Sequence, residues 1–240
     1  HIMSGFETLK FFSTAPHPCS YLEGQEATTL FVEPSTTLSA EQVVKLAESG
    51  FRRSGRYTYR PHCAQCSACI SVRVPVESFQ PKRRQIRTLK KNQDVSFTAR
   101  TPILDEERYE LYRRYIKTRH ADGDMYPPSP SQYESFLASN SQHAFFLEAR
   151  INERLIAVTL FDEIPGNGLS AIYTFFELGP EFDARSLGRL MVLQLIEVAR
   201  GLELPYVYLG YWIRDSKKMA YKNEYRPIEM LINSRWIRVE

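Results

Sequence analysis

No stretch of this 240-residue chain approaches the ~20 consecutive apolar residues that a membrane-spanning helix needs, so no membrane partner is expected. Read from Met3, with His1 and Ile2 as a cloning remnant, the N-terminus lacks the basic start and apolar run of a secretion signal. That points to the cytoplasm. No internal repeat and no low-complexity segment is present, which excludes solenoids and tandem arrays. Neither sign of charge is in excess: 31 Lys and Arg against 28 Asp and Glu leave +3, too little by itself to imply nucleic acid. Cysteine is scarce, with four in all, and in a cytoplasmic chain these suit metal or redox chemistry rather than a disulfide framework. What is abundant is apolar and aromatic: 43% hydrophobic residues, with 14 Tyr and 14 Phe, suffice for packed cores.

The few cysteines are grouped. Cys63, Cys66 and Cys69 lie in RPHCAQCSACISVR, and Cys19 lies in HPCSYL. Thiolates three residues apart on a tight loop can converge on one point, and soft sulfur suits zinc or an iron–sulfur cluster. Tetrahedral zinc on Cys19, Cys63, Cys66 and Cys69 is the physical default, with a [4Fe–4S] cluster or metal-free thiols as alternatives, and His17 or His62 as substitute ligands. Four protein ligands leave no open position, so such a metal would be structural. The positive charge is grouped as well. PKRRQIRTLKKN carries Lys82, Arg83, Arg84, Arg87, Lys90 and Lys91. In a helix Arg83, Arg87 and Lys90 share a face, which is either a phosphate-binding stripe or a solvated surface.

Local patterns predict the elements. SAEQVVKLAESG reads as a helix with a Ser39–Gln42 capping box and Gly50 at its end. Arg56–Tyr59 and Ile70–Val76 read as strands flanking the cysteine loop. Thr101-Pro102 marks a boundary, followed by a helix capped by Asp105 and a short helix in SQYESFLAS. Two strands joined at Asn152-Glu153, a strand GLSAIYTFF, the apolar helix SLGRLMVLQLIEVARGL and the strand LPYVYLGYW complete the pattern. The expected class is α/β: an acetyltransferase-like (GNAT-type) domain at 101–240, preceded by a smaller cysteine-containing α+β domain with the basic segment at 3–100. Arg185 and Gly188 of ARSLGRL partly fit the pyrophosphate loop of acetyl-CoA-dependent transferases, but Leu190 stands where a small residue belongs.

Several segments together resemble the arginyl-tRNA–protein transferase family. They are HPCSYL, GFRRSGRYTYRPHC, VRVPVESFQPKRRQIR, YTFF, RSLG and YLGYWIRDSKKMAYKNEYRP, in the family's order across most of the chain. Cys19 matches the first cysteine of the eukaryotic pattern, Leu22 stands at the second, and the triple-cysteine loop is similar to the bacterial branch, the aspartate/glutamate leucyltransferases. The resemblance implies transfer of leucine from leucyl-tRNA to proteins with N-terminal Asp or Glu, marking them for degradation. It also implies zinc, haem or an iron–sulfur cluster at the cysteines. FFELGPEFDARSLG departs from the branch, which has Asp-Pro shortly after the YTFF strand.

Aminolysis of an activated ester requires no cofactor and no nucleophilic side chain. It requires orientation, oxyanion stabilisation and a proton acceptor. Tyr211 and Tyr221, with Tyr173, are candidates to line the reacting end, and Asp215, Glu177 and Glu224 to accept the proton. An arginine fork suits the acceptor's carboxylate, with Arg73, Arg83 and Arg53 as candidates. Lys82, Arg84, Arg87, Lys90, Lys91, Lys217, Lys218 and Lys222 would follow the tRNA backbone. The alternatives are an arginyl donor, an acetyl-CoA-dependent N-acetyltransferase, and a noncatalytic zinc-dependent RNA-binding protein.

Overall fold

The computed structural model describes residues 8–123, 125–138 and 143–240; parts of the stretches DGDMYPPSPS and SQYESFLAS, at Asp124 and Ser139, lie outside the described residues. In chain order the elements are β1 (Phe11–Ser13), β2 (His17–Pro18), β3 (Glu26–Ala27), β4 (Thr29–Val32), α1 (Ala40–Glu48), β5 (Arg52–Ser54), β6 (Tyr57–Pro61) and β7 (Ile70–Pro75). Then come α2 (Arg83–Lys91), β8 (Val95–Arg100), α3 (Glu106–Arg119), α4 (Pro130–Phe136), β9 (Ala144–Ile151), β10 (Arg154–Ile164) and β11 (Gly168–Phe176). The chain closes with α5 (Pro180–Asp183), α6 (Leu187–Gly201), β12 (Tyr206–Trp212), β13 (Ile228–Ile232) and β14 (Arg235–Val239). This is the mixed α/β class expected.

The predicted caps are present. Ser39 accepts from the Gln42 N–H while the Gln42 side chain accepts from the Ser39 N–H, and Asp105 caps α3 through the Arg108 N–H. The β9–β10 hairpin turns at Asn152 with φ 54°, the left-handed geometry that asparagine tolerates. The one-turn helix α5 was not expected from the sequence; Gly179 at its N-cap, with φ 120°, and Pro180 at its first position start it.

The chain divides into two compact units that interleave in sequence. One takes the described residues up to Gln80 with Ile164–Ser170 and Leu204–Glu240; the other takes Pro81–Glu163 and Ala171–Glu203. Both draw on each side of Thr101-Pro102, so this spatial division is a different partition from a cut at residue 100.

In the first unit, β1, β4, β6 and β5 form one small sheet, and β14, β13, β7 and β12 lie side by side in another. β12 also pairs in parallel with the opening residues of β11, Gly168 opposite Tyr206 through Ser170 opposite Tyr208. Gly168 is required there, because a Cβ would collide with the Tyr206 carbonyl. A parallel pair needs a long crossover, and the chain between β11 and β12 contains α6. In the second unit β11, β10, β9 and β8 are neighbours in that order. Its core is aromatic: Tyr112, Tyr133, Phe146 and Phe175 are fully buried, and Tyr112 and Tyr133 meet edge to face at 5.2 Å. There Arg108 forms a buried fork on Glu148, bridging α3 to β9.

Candidate functional site

Arg73 illustrates how register builds a polar centre. On β7 it stands directly opposite Tyr208 of β12 on one side and Glu229 of β13 on the other. Directly opposite residues share a face. Its Nε donates to Glu229 Oε1 at 2.8 Å, and its Nη1 donates to the Tyr208 hydroxyl at 3.0 Å. That hydroxyl donates in turn to Asn167 Oδ1 at 2.7 Å. The guanidinium carbon lies 3.6 Å from the Tyr206 ring centroid and 4.0 Å from that of Trp236. Arg73 is only 5% exposed. Expected to take an acceptor carboxylate, it is instead committed to Glu229 and an aromatic cage. Arg53 is half-buried with Nη1 donating to the Gly55 carbonyl at 2.6 Å, and Arg83 is exposed on α2.

In the same unit β12 bulges between Tyr208 and Gly210. Gly210 has φ 84°, and a Cβ on it would stand 3.1 Å from Arg52 Nε and 3.3 Å from Lys222 Nζ. Glycine thus lets two cations approach the backbone. Lys222 is buried, not beside the exposed Lys217 and Lys218 as a tRNA-tracking group would be. Its ammonium donates to the Tyr211 carbonyl at 2.8 Å, and burial together with Arg52 holds it down to about 7. The Tyr211 hydroxyl donates to the Gly50 carbonyl at 2.8 Å, and burial raises that phenol well above its ordinary value. Tyr221 is 48% exposed, and Asp215 is exposed beside Arg214 at 3.8 Å.

The four cysteines form no disulfide with one another and are half-buried. Burial, and after it the charges of Cys19, Cys63 and Cys66, push the Cys69 thiol up to about 12. The four sulfurs therefore share one electrostatic neighbourhood. Cys19 Sγ accepts from the Tyr21 and Leu22 N–H groups, both at 3.4 Å. Soft donors suit zinc or a cluster, but among the described residues no three Cys, His, Asp or Glu side chains are grouped to hold a metal ion. By donor chemistry Cys19, Cys63, Cys66 and Cys69 are the residues that would hold such a group.

A cavity of about 260 Å³ opens beside this centre within the same unit, lined among others by Glu48, Arg60, Cys69, Ser71 and Tyr211. Arg60 and Arg52 were not singled out from the sequence. The β-period held the signal: Arg52 and Arg53 are adjacent on β5 and must face opposite ways, and Arg52 sits opposite Tyr59 of β6.

The second unit holds the basic helix and Glu177. Lys82, Arg83, Arg84, Arg87, Lys90 and Lys91 are all exposed on or beside α2, while Gln85 and Thr88 face inward. Lys91 Nζ donates to the Ala184 carbonyl at 3.3 Å. Glu177 is buried, with Arg114 at 3.1 Å on one oxygen and Arg154 at 2.8 Å on the other. Tyr173 is half-buried, and burial raises its phenol. Arg185 forks onto Asp94 at 2.8 Å through both nitrogens, so the would-be pyrophosphate arginine is already paired.

The arginine-tRNA-protein transferase family is matched twice, by its N-terminal model over residues 17–87 and its C-terminal model over 107–232. The chain belongs to this family. It is 52% identical over 235 residues to an aspartate/glutamate leucyltransferase of Pseudomonas putida, covering 98% of this chain and 99% of that protein. A protein of the same name from Pseudomonas aeruginosa is 49% identical over the same 98% and 99%. Among solved structures the chain is similar to FemX, at 10% identity and a TM-score of 0.47 over 88% of this chain and 81% of that one. That likeness is too distant to add to the fold assignment. As a family member the chain is an aminoacyltransferase, acting on an aminoacyl-tRNA and a protein. No helix among the described residues is long and apolar enough to cross a membrane.

Proposed function

We propose that this chain moves leucine from leucyl-tRNA to the N-terminal α-amine of proteins that begin with Asp or Glu. The observation that carries the reading is the near-full-length identity to aspartate/glutamate leucyltransferases. The amine nitrogen attacks the ester carbonyl carbon; a C–N bond forms, the bond to the ribose oxygen breaks, and that oxygen takes a proton as it leaves. The ester is already activated, so the enzyme's work is orientation and proton transfer, and no metal is needed for it. The exposed cations of α2 support a role in holding the tRNA backbone, and Lys217 and Lys218 are accessible for the same purpose. Lys222 is not. Of the candidate carboxylates, each oxygen of Glu177 is held by an arginine, which suits a positioning role, whereas the accessible Asp215 suits proton acceptance. The added leucine would mark the acceptor for degradation in the cytoplasm.

The test is transfer of labelled leucine to peptides beginning Asp, Glu, Ala, Lys or Arg. Label on the Asp and Glu peptides alone is expected. Label on Lys or Arg peptides, or none with the protein folded, would overturn the reading. The family model's own description names arginine, which makes arginyl-tRNA the second donor to compare.

A further inference from the structure

The cavity in the first unit has an unusual wall. Arg60, on β6, lines it; its Nη1 donates to the Ser49 carbonyl at 3.4 Å, a long hydrogen bond, and its guanidinium carbon lies 5.5 Å from the Phe51 ring centroid. Its Nε is buried and has no hydrogen-bond partner. Burial draws its basicity down, and the nearby Tyr211 offsets this only in part. The outer end of the fork carries only that 3.4 Å hydrogen bond, and a carboxylate is the ligand that answers a guanidinium fork best. Ser71 supplies a hydroxyl to the same space, and Glu48, exposed, supplies the opposite charge.

This pattern matches one chemical object. An acidic residue at a chain's N-terminus carries a cationic α-amine and an anionic side chain a few bonds apart. The cavity presents one guanidinium and one carboxylate. At about 260 Å³ it lies just below the ~300 Å³ at which pockets for drug-sized ligands begin, so it suits a single residue. The other candidates for the carboxylate are worse placed: Arg73 is held by Glu229, and Arg83 stands on an exposed helix.

We infer that Arg60, supported by Ser71, receives the side-chain carboxylate of the acceptor's N-terminal Asp or Glu, and that Glu48 receives its α-amine. Arg60 is then a specificity-determining residue of the reaction proposed above, and the inference rests on that reading for its role but not for the binding itself.

Binding is therefore measured apart from transfer. A dye-labelled peptide beginning Asp and its twin beginning Asn are titrated by fluorescence anisotropy into the wild type, Arg60→Gln and Arg83→Gln, with circular dichroism confirming the fold of each. The wild type and Arg83→Gln should prefer the Asp peptide by about tenfold or more, the value of one buried charge-assisted fork. Arg60→Gln should bind both alike. Should Arg60→Gln not fold, the wild type alone decides: the Asp peptide, and not the Asn peptide, should shield Arg60 from phenylglyoxal, read by mass spectrometry. A folded Arg60→Gln that keeps the Asp preference, or an Arg60 modified equally with either peptide, would overturn the inference. A wild type that binds Asp peptides through Arg60 but transfers no leucine would sink the leucyltransferase reading while sustaining this site.

Discussion

Replacing Arg73 by Ala is expected to cost about 3–5 kcal/mol of unfolding free energy, the usual consequence of stranding one member of a buried ion pair. The structure explains the size. Arg73 is 5% exposed, and the Glu229 side chain that its Nε meets at 2.8 Å is 13% exposed. Once Arg73 is gone, Glu229 keeps only a weak partner in Arg238, 3.9 Å from its other oxygen and itself 44% exposed. The cation also leaves two ring faces, each at 4.0 Å or less, where a desolvated contact is worth about 2 kcal/mol. That contribution overlaps the ion-pair loss and does not simply add to it. Guanidinium denaturation of wild type and Arg73→Ala would measure the difference. The pair Arg73→Met with Glu229→Leu should recover most of it, since apolar replacement of both partners is often neutral. The same double variant should still transfer leucine, because Arg73 holds strands together. A loss below about 1 kcal/mol for Arg73→Ala, or a stable double variant without activity, would refute the reasoning.

Three other consequences are open to measurement. Gly168→Ala forces a methyl group onto the Tyr206 carbonyl across the parallel pair, so it should lower the denaturation midpoint by the equivalent of about 1–3 kcal/mol; an unchanged midpoint would show that β11 can shift. The Lys222 ammonium is held down to about 7 when folded against an ordinary 10.5, so between those values the unfolded chain binds more protons and stability rises with pH. In metal-free protein, wild type should therefore gain on Lys222→Met between pH 7 and pH 9.5; parallel curves would contradict this. Arg87→Glu on the exposed face of α2 should weaken tRNA binding and make its log–log salt slope shallower by about one or more, and an unaltered slope would remove that helix from the RNA contact.

Local signals carried much of the fold. The Ser39 capping box, the Asp105 cap and the turn at Asn152 each act over a few residues and could be read directly. The interleaving of the two units could not, because it depends on β12 returning to pair with the start of β11 and with β7, far apart in sequence. Charge alone did not tell Lys222 from Lys217 and Lys218. All three share one polar stretch, yet Lys222 is drawn under the chain by the Tyr211 carbonyl that the bulged strand offers. Arg73 was singled out for its chemistry and proved to be a sheet residue, since only the cross-strand register reveals Glu229 opposite it. In sequence, the arginine of RYTYRPHC at Arg60 resembles its neighbours, and only the cavity beside it sets it apart. The cysteine spacing was legible as soft-ligand chemistry, but spacing does not fix whether four thiols close on one point.

Leucine transfer to an acidic N-terminus is read directly in the mass of the product. A peptide beginning Asp is incubated with the protein and either leucyl-tRNA or arginyl-tRNA, then sequenced by tandem mass spectrometry. One leucine, joined to the α-amine of Asp and arising only from leucyl-tRNA, is the expected product. Arginine at that position would keep the family and overturn the donor; an unmodified peptide in both reactions, from folded protein, would rule out leucine transfer.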